Sequence, residues 1–91
     1  MGLKIKTAMK YSYKEQRHPQ RRNEYRLLVT WPGYGWYHKL GDITVYRDDK
    51  AEAWPAYRLH KDVSRLFDSY DAAVDWLIKL WERRQRGIRN L

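Results

Sequence analysis

Between residues 70 and 81, Tyr70, Ala73, Val74, Leu77, Ile78 and Trp81 recur at intervals of three and four, and Trp76 and Leu80 widen the stripe on one side. That spacing puts a single apolar face on an α-helix. Asp68 or Ser69 is placed to cap its first turn, with Phe67 as the apolar residue before the cap. Asp71 and Asp75 lie near the positive end of the helix dipole, and Arg83, Arg84 and Arg86 near the negative end. Asp75 with Lys79, and Glu82 with Arg86, stand four apart with the acid first, the favourable order. Gly87 is placed to end the helix, which is predicted to span about 69–86. A lone helix with such a stripe must bury it against another element. Every other periodic segment of this chain alternates with period two, so that element is a sheet.

The alternation begins near the N-terminus. In residues 3–13, Leu3, Ile5, Thr7, Met9, Tyr11 and Tyr13 share one face, and Lys4, Lys6 and Lys10, continued by Lys14, share the other. Residues 14–23, KEQRHPQRRN, hold no apolar side chain and one proline, and are predicted to be a basic loop. From 24 to 31, Tyr25, Leu27, Val29 and Trp31 alternate with Arg26, Leu28 and Thr30. PGYG at 32–35 is a turn by composition. WYHKLG at 36–41 starts a strand ambiguously, with an interruption or bulge expected near Gly41. Residues 42–47 read as strand, 48–52 as a turn, and 54–61 as the last strand, starting late or lying at an edge because Pro55 has no N–H.

The predicted fold is therefore α+β. A single domain over 1–91 holds an antiparallel sheet of three to four strands (about 3–13, 24–31, 42–47 and 54–61) with one C-terminal helix packed on one face. That face is expected to carry Leu3, Ile5, Tyr25, Leu27, Val29, Ile43, Val45, Tyr57 and Leu59. The opposite face is expected to be basic, with Lys4, Lys6, Lys10, Arg26, Tyr46, Arg58 and His60. Leu28 falls on it as well, which hints at partial cover.

Charge narrows the functional classes. The net charge is +8 over 91 residues, and it is uneven. Residues 1–30 carry +6, residues 31–70 are balanced, and residues 71–91 carry +2. Such end-loading points to a polyanionic partner. The chain has no cysteine, which excludes disulfides, thiolate metal sites and a cysteine nucleophile and fits a reducing compartment. No apolar run is long enough to span a membrane, and the lysines near the start are not followed by an apolar block, so a cytoplasmic protein is expected.

The segment Phe67-Asp68-Ser69-Tyr70-Asp71-Ala72-Ala73-Val74-Asp75-Trp76, following a run of strands, resembles the arm-type DNA-binding domains of tyrosine recombinases. Phe67, Ser69, Ala73 and Trp76 carry the resemblance, and Ala72 stands where that family has an acid. The resemblance covers about the last two-thirds of the chain. It implies a sheet followed by a helix, with the outer sheet face entering the DNA major groove.

Four groups of residues are candidates for binding. The lysine comb, Lys4, Lys6, Lys10 and Lys14, suits phosphate contacts, or protects an edge strand from aggregation. Arg17, His18, Arg21, Arg22 and Arg26 suit bidentate contacts to phosphate or guanine; otherwise they belong to a solvated loop. Trp31, Tyr34, Trp36 and Tyr37, beside Lys39, can stack on unpaired bases or anchor a protein partner; Trp31 and Trp36 are otherwise expected to cap the core, and Tyr34, between two glycines, to be the most exposed. Arg83, Arg84, Arg86 and Arg89 complement the helix dipole or add a phosphate contact. His18, His38 and His60 are too scattered for a metal site. No nucleophile–base set or phosphate-cradling loop is present, so no enzyme, metal or cofactor is expected.

The expected function is a nucleic-acid-binding module, for DNA before RNA. Its contacts would be Lys4, Lys6, Lys10, Arg17, Arg21, Arg22, Arg26, Lys39 and Arg58, with Tyr34, Trp36, Tyr37 and Tyr46 stacking or gripping a partner. The alternative is a protein–protein interaction module, an accessory or inhibitor protein of the phage or mobile-element type. It would use the aromatic turn 31–37 against an acidic protein surface or across a homodimer.

Overall fold

The computed structural model describes residues 11–56 and 64–89. Five strands, β1 (Ser12–Arg17), β2 (Glu24–Thr30), β3 (His38–Val45), β4 (Ala51–Pro55) and β5 (Arg65–Phe67), precede one helix, α1 (Tyr70–Arg89). The strands form one open antiparallel meander in the order β1-β2-β3-β4-β5. The α+β class is as expected, with five strands in place of three or four.

Strand bounds differ from the sequence reading in ways with local causes. The strand expected at 3–13 begins at Ser12 among the described residues and continues to Arg17, taking residues 14–17 of the segment read as loop. Those residues are polar because β1 is an edge strand, where polar side chains on both faces are tolerated. The ambiguous WYHKLG segment supplies His38–Gly41 to β3, which starts at His38 rather than 42 and ends at Val45 rather than 47. Its register shifts between Leu27 and Leu28: Leu27 faces Gly41 and Leu28 faces Lys39, so Leu40 is the extra residue of a bulge. β4 starts at Ala51, three residues before the predicted position, and Pro55 ends it. β5 was not foreseen, since three residues are too few to show a period. The predicted positions Tyr57, Leu59 and His60 lie outside the described residues, as do Leu3 and Ile5.

Tight turns close the hairpins. Trp31-Pro32-Gly33-Tyr34 has the type II signature: Pro32 second, Gly33 third at φ 85°, and the Tyr34 N–H donating to the Trp31 carbonyl at 3.0 Å. At the β3–β4 turn, the Asp49 N–H donates to the Tyr46 carbonyl at 2.9 Å, and Asp49 itself adopts φ 66°. Aspartate is among the few residues that enter this left-handed region readily.

The helix begins as its sequence predicts. Ser69 Oγ accepts the Ala72 N–H at 3.1 Å, the capping bond. It passes through Gly87 and ends at Arg89, because Gly87 keeps an ordinary helical φ rather than the left-handed one that would terminate it. The helix lies over β3, β4 and β5. Leu27, Val29, Leu40, Ile43, Ala51 and Ala53 of the sheet meet Ala73, Leu77, Ile78 and Leu80 of the helix. Small residues let the helix approach closely: a β-carbon at Gly41 would stand 2.5 Å from the Trp54 carbonyl oxygen and 3.1 Å from Leu77 Cδ2.

Candidate nucleic-acid interface

The meander gives the sheet two functional ends. At one lie the β1–β2 loop (18–23), the β3–β4 turn (46–50) and the start of α1. At the other lie the aromatic turn 31–37 and the last turns of α1.

The first end gathers arginines. The His18 N–H donates to the Glu24 carbonyl at 2.8 Å and the Glu24 N–H to the Arg21 carbonyl at 3.2 Å, closing the loop on itself. Arg17 Nε donates to the Arg22 carbonyl at 3.1 Å. Arg21 is committed to Glu24 at 3.1 Å. Asn23 locks the loop to β3, donating from Nδ2 to the Val45 carbonyl at 3.2 Å and accepting the Val45 N–H on its own carbonyl at 2.8 Å. This junction opens a groove of about 800 Å³ lined by Arg22, Asn23, Tyr25, Val45, Tyr46, Arg47 and Asp49. Arg22 and Arg47 are exposed, and neither guanidinium has a carboxylate partner among the described residues. Arg47 was not singled out from the sequence, because only the Asn23–Val45 bonds bring it beside Arg22.

The outer sheet face differs from expectation. Lys4, Lys6, Lys10 and Arg58 lie outside the described residues. On the described part, Arg26 Nε approaches Asp42 Oδ1 at 3.5 Å and Lys39 Nζ approaches Asp42 Oδ2 at 2.6 Å. Lys14, Arg26 and Lys39 are matched in number by Glu24, Asp42 and Glu52, so this area carries no excess charge. The bulge explains the difference: it sets Lys39 and Asp42 on one face, although three residues apart in a strand would otherwise point to opposite sides. Trp54 and Leu66 also open onto this face, 48% and 54% exposed. Ala51 and Ala53 point into the core, so the alternation of β4 turns Trp54 outward.

Tyr46 donates its hydroxyl to Glu52 Oε1 at 2.5 Å, and Ser64 donates to Glu52 Oε2. These two bonds, Ser64 first, hold the Glu52 carboxyl below its ordinary pKa, and the bond to Glu52 raises that of Tyr46.

The second end is an aromatic stack. Trp31 lies against Tyr34 with ring centroids 4.1 Å apart, against His38 at 5.4 Å and against Trp81 at 5.8 Å. Trp31 caps the core as expected, whereas Tyr34, expected to be the exposed ring, is half-buried in the stack, and Trp36, expected in the core, is not. Trp36 points outward, 69% exposed, and its Nε1 donates to the Tyr34 hydroxyl at 2.9 Å. Lys14 Nζ sits 5.3 Å from the centre of the Tyr37 ring. Arg83, Arg84 and Arg86 are exposed on the neighbouring helix turns. The turn and the arginine loop, both candidates for one ligand, stand at opposite ends of the sheet.

Among the described residues, no three His, Asp or Glu side chains converge as metal ligands, and no helix is long and apolar enough to cross a membrane. Comparison with protein-family models, with characterised proteins and with solved structures gave no match.

Proposed function

We propose that this chain is a nucleic-acid-binding module that grips phosphates at the arginine end of the sheet, and that it is not an enzyme. The observation that carries the reading is the convergence of Arg22 and Arg47, from two turns 25 residues apart in sequence, on one open groove flanked by Tyr25 and Tyr46. Guanidiniums with no carboxylate partner among the described residues, beside the exposed Tyr46 ring, match the chemistry of a phosphodiester chain. Arg17 stands beside the groove, its Nε donating to the Arg22 carbonyl. The net charge of +8 supplies long-range attraction.

The likeness of residues 67–76 to arm-type domains supports DNA ahead of RNA. It implies contact through the outer face, but that face is balanced in charge over its described part. The arginine end is therefore the better candidate for the principal contact. A cytoplasmic location goes with this reading.

Fluorescence anisotropy of labelled duplex DNA, single-stranded DNA and duplex RNA at 50 and 200 mM salt tests it. About four phosphate contacts to duplex DNA give a log–log slope near −3.6, a fall of about 100-fold between those salts. Replacing Arg22 and Arg47 together by Glu is expected to abolish the binding. Wild-type protein that binds none of the three at 50 mM, or a double variant that binds as wild type, would refute the proposal.

A specific observation also favours a protein partner: exposed Trp54 and Leu66 lie on a sheet face with balanced charge.

A further inference from the structure

The strand register sorts the outer face into rows. Lys14, Leu28 and Lys39 form one row across β1, β2 and β3. Gln16, Arg26, Asp42 and Trp54 form the next, and Glu24, Thr44, Glu52 and Leu66 the third. The face therefore runs from a lysine row near the aromatic end, through a neutral row where Arg26 and Asp42 pair, to a carboxylate row near the arginine end.

We propose that this face is a homodimer interface, covered by the same face of a second copy across a two-fold axis that is parallel to the sheet and perpendicular to its strands. Such an axis reverses strand direction while keeping the lateral order of strands. It lays the lysine row of each copy over the carboxylate row of the other, with Lys14 on the Glu24 side and Lys39 between Glu24 and Glu52. The neutral rows meet at the axis, where Trp54 packs on Trp54 of the second copy. Leu28 and Leu66 flank this centre.

Charge complementarity selects a second copy over a nucleic acid or an acidic protein. Both of those would meet the carboxylate row with like charge, whereas a two-fold partner sets each lysine row over a carboxylate row, and the middle row meets its own copy, where each Arg26–Asp42 pair is neutral in sum. Five strands spaced about 4.8 Å apart, over six residue steps of about 3.4 Å, make a face about 20 Å on each side. At about 400 Å² from each copy it is smaller than a standard specific interface, so the dimer is expected to be weak, forming at about tens of micromolar.

The proposal does not depend on nucleic-acid binding, because Arg22 and Arg47 lie off this face, and self-association is measured without nucleic acid. The test is light scattering and sedimentation of the full chain at about 100 µM, where a micromolar dimer is populated. The wild type is expected to be a dimer. Lys14→Glu and Glu24→Lys are each expected to weaken it about tenfold or more, since each puts like charges face to face at two symmetric places. An equimolar mixture of the two variants is expected to associate better than either alone, because residues 14 and 24 again face each other with opposite sign at both places.

Wild-type protein that is monomeric at this concentration overturns the proposal. So does a mixture that associates no better than its components. If Glu24→Lys disturbs folding by losing Arg21, seen as a changed circular dichroism spectrum, Lys14→Glu decides alone. Lys14 is exposed on an edge strand and bears on no core residue, so folded Lys14→Glu that remains as dimeric as wild type also overturns the proposal.

Discussion

The hydroxyl of Tyr70, the first residue of the helix, donates to Glu15 Oε2 on the edge strand β1 at 2.5 Å. A second bond runs the other way, from Tyr13 on β1 to Glu82 Oε2 on the helix at 3.2 Å. The helix covers β3 to β5, and these two tyrosine–glutamate bonds, with the Tyr11 ring against Trp81 at 5.8 Å and the Tyr25 ring against Tyr70 at 5.2 Å, clip the far edge of the sheet to it. Burial first, then the adjacent carboxylate, pushes both phenols well above their ordinary pKa.

Alkaline pH is therefore expected to unfold the protein. A tyrosine whose folded pKa is raised stabilises fully below its unfolded pKa, near 10, and that contribution is lost as pH rises beyond it toward the folded value. Urea midpoints of the wild type should hold from pH 8 to 9.5 and fall from about pH 10 upward. Tyr13→Phe and Tyr70→Phe should each flatten that decline. A midpoint independent of pH up to 11 would contradict the assignment.

Gly41→Ala is expected to destabilise by roughly 1–3 kcal/mol, the usual range for forced overpacking. The obstruction is the backbone carbonyl of Trp54 at 2.5 Å, which no side-chain rotation relieves. Gly35→Ala, where an added β-carbon meets nothing within 4 Å, serves as the control and should leave the chemical denaturation midpoint nearly unchanged.

Ser69→Ala removes the acceptor of the Ala72 N–H and should cost about 1 kcal/mol, while Ser69→Asp should retain most of the stability. Thermal unfolding of the three proteins checks this. Equal loss in both variants would mean that Ser69 acts otherwise than as a cap.

Cations on the outer face should matter less to nucleic acid than those in the groove. Arg26 must leave Asp42 to meet a phosphate, whereas Arg22 has no such partner among the described residues. Arg22→Gln should lower the magnitude of the log–log salt slope by about 0.9, one phosphate contact, and Arg26→Gln by clearly less. Equal effects would place the bound strand on the outer face instead.

Much of this architecture is legible in local residue order. The stripe Tyr70, Ala73, Leu77 and Ile78, with Ser69 before it, specifies a helix and its start by chemistry that acts within four residues. The alternation of Leu27 and Val29 with Arg26 and Leu28 likewise specifies which side of β2 faces inward, and the end-loading of positive charge is read by counting. Sequence alone thus determined one helix, a sheet to receive it, and a basic character. Only the tertiary structure decided that the bulge falls at Leu40, that Asp42 pairs with both Arg26 and Lys39, and that Arg47 joins Arg22. The physical reason is that strand register is a long-range choice: a shift of one residue moves a side chain to the other face of a sheet, and it is settled by cross-strand bonds and helix packing that no local pattern encodes.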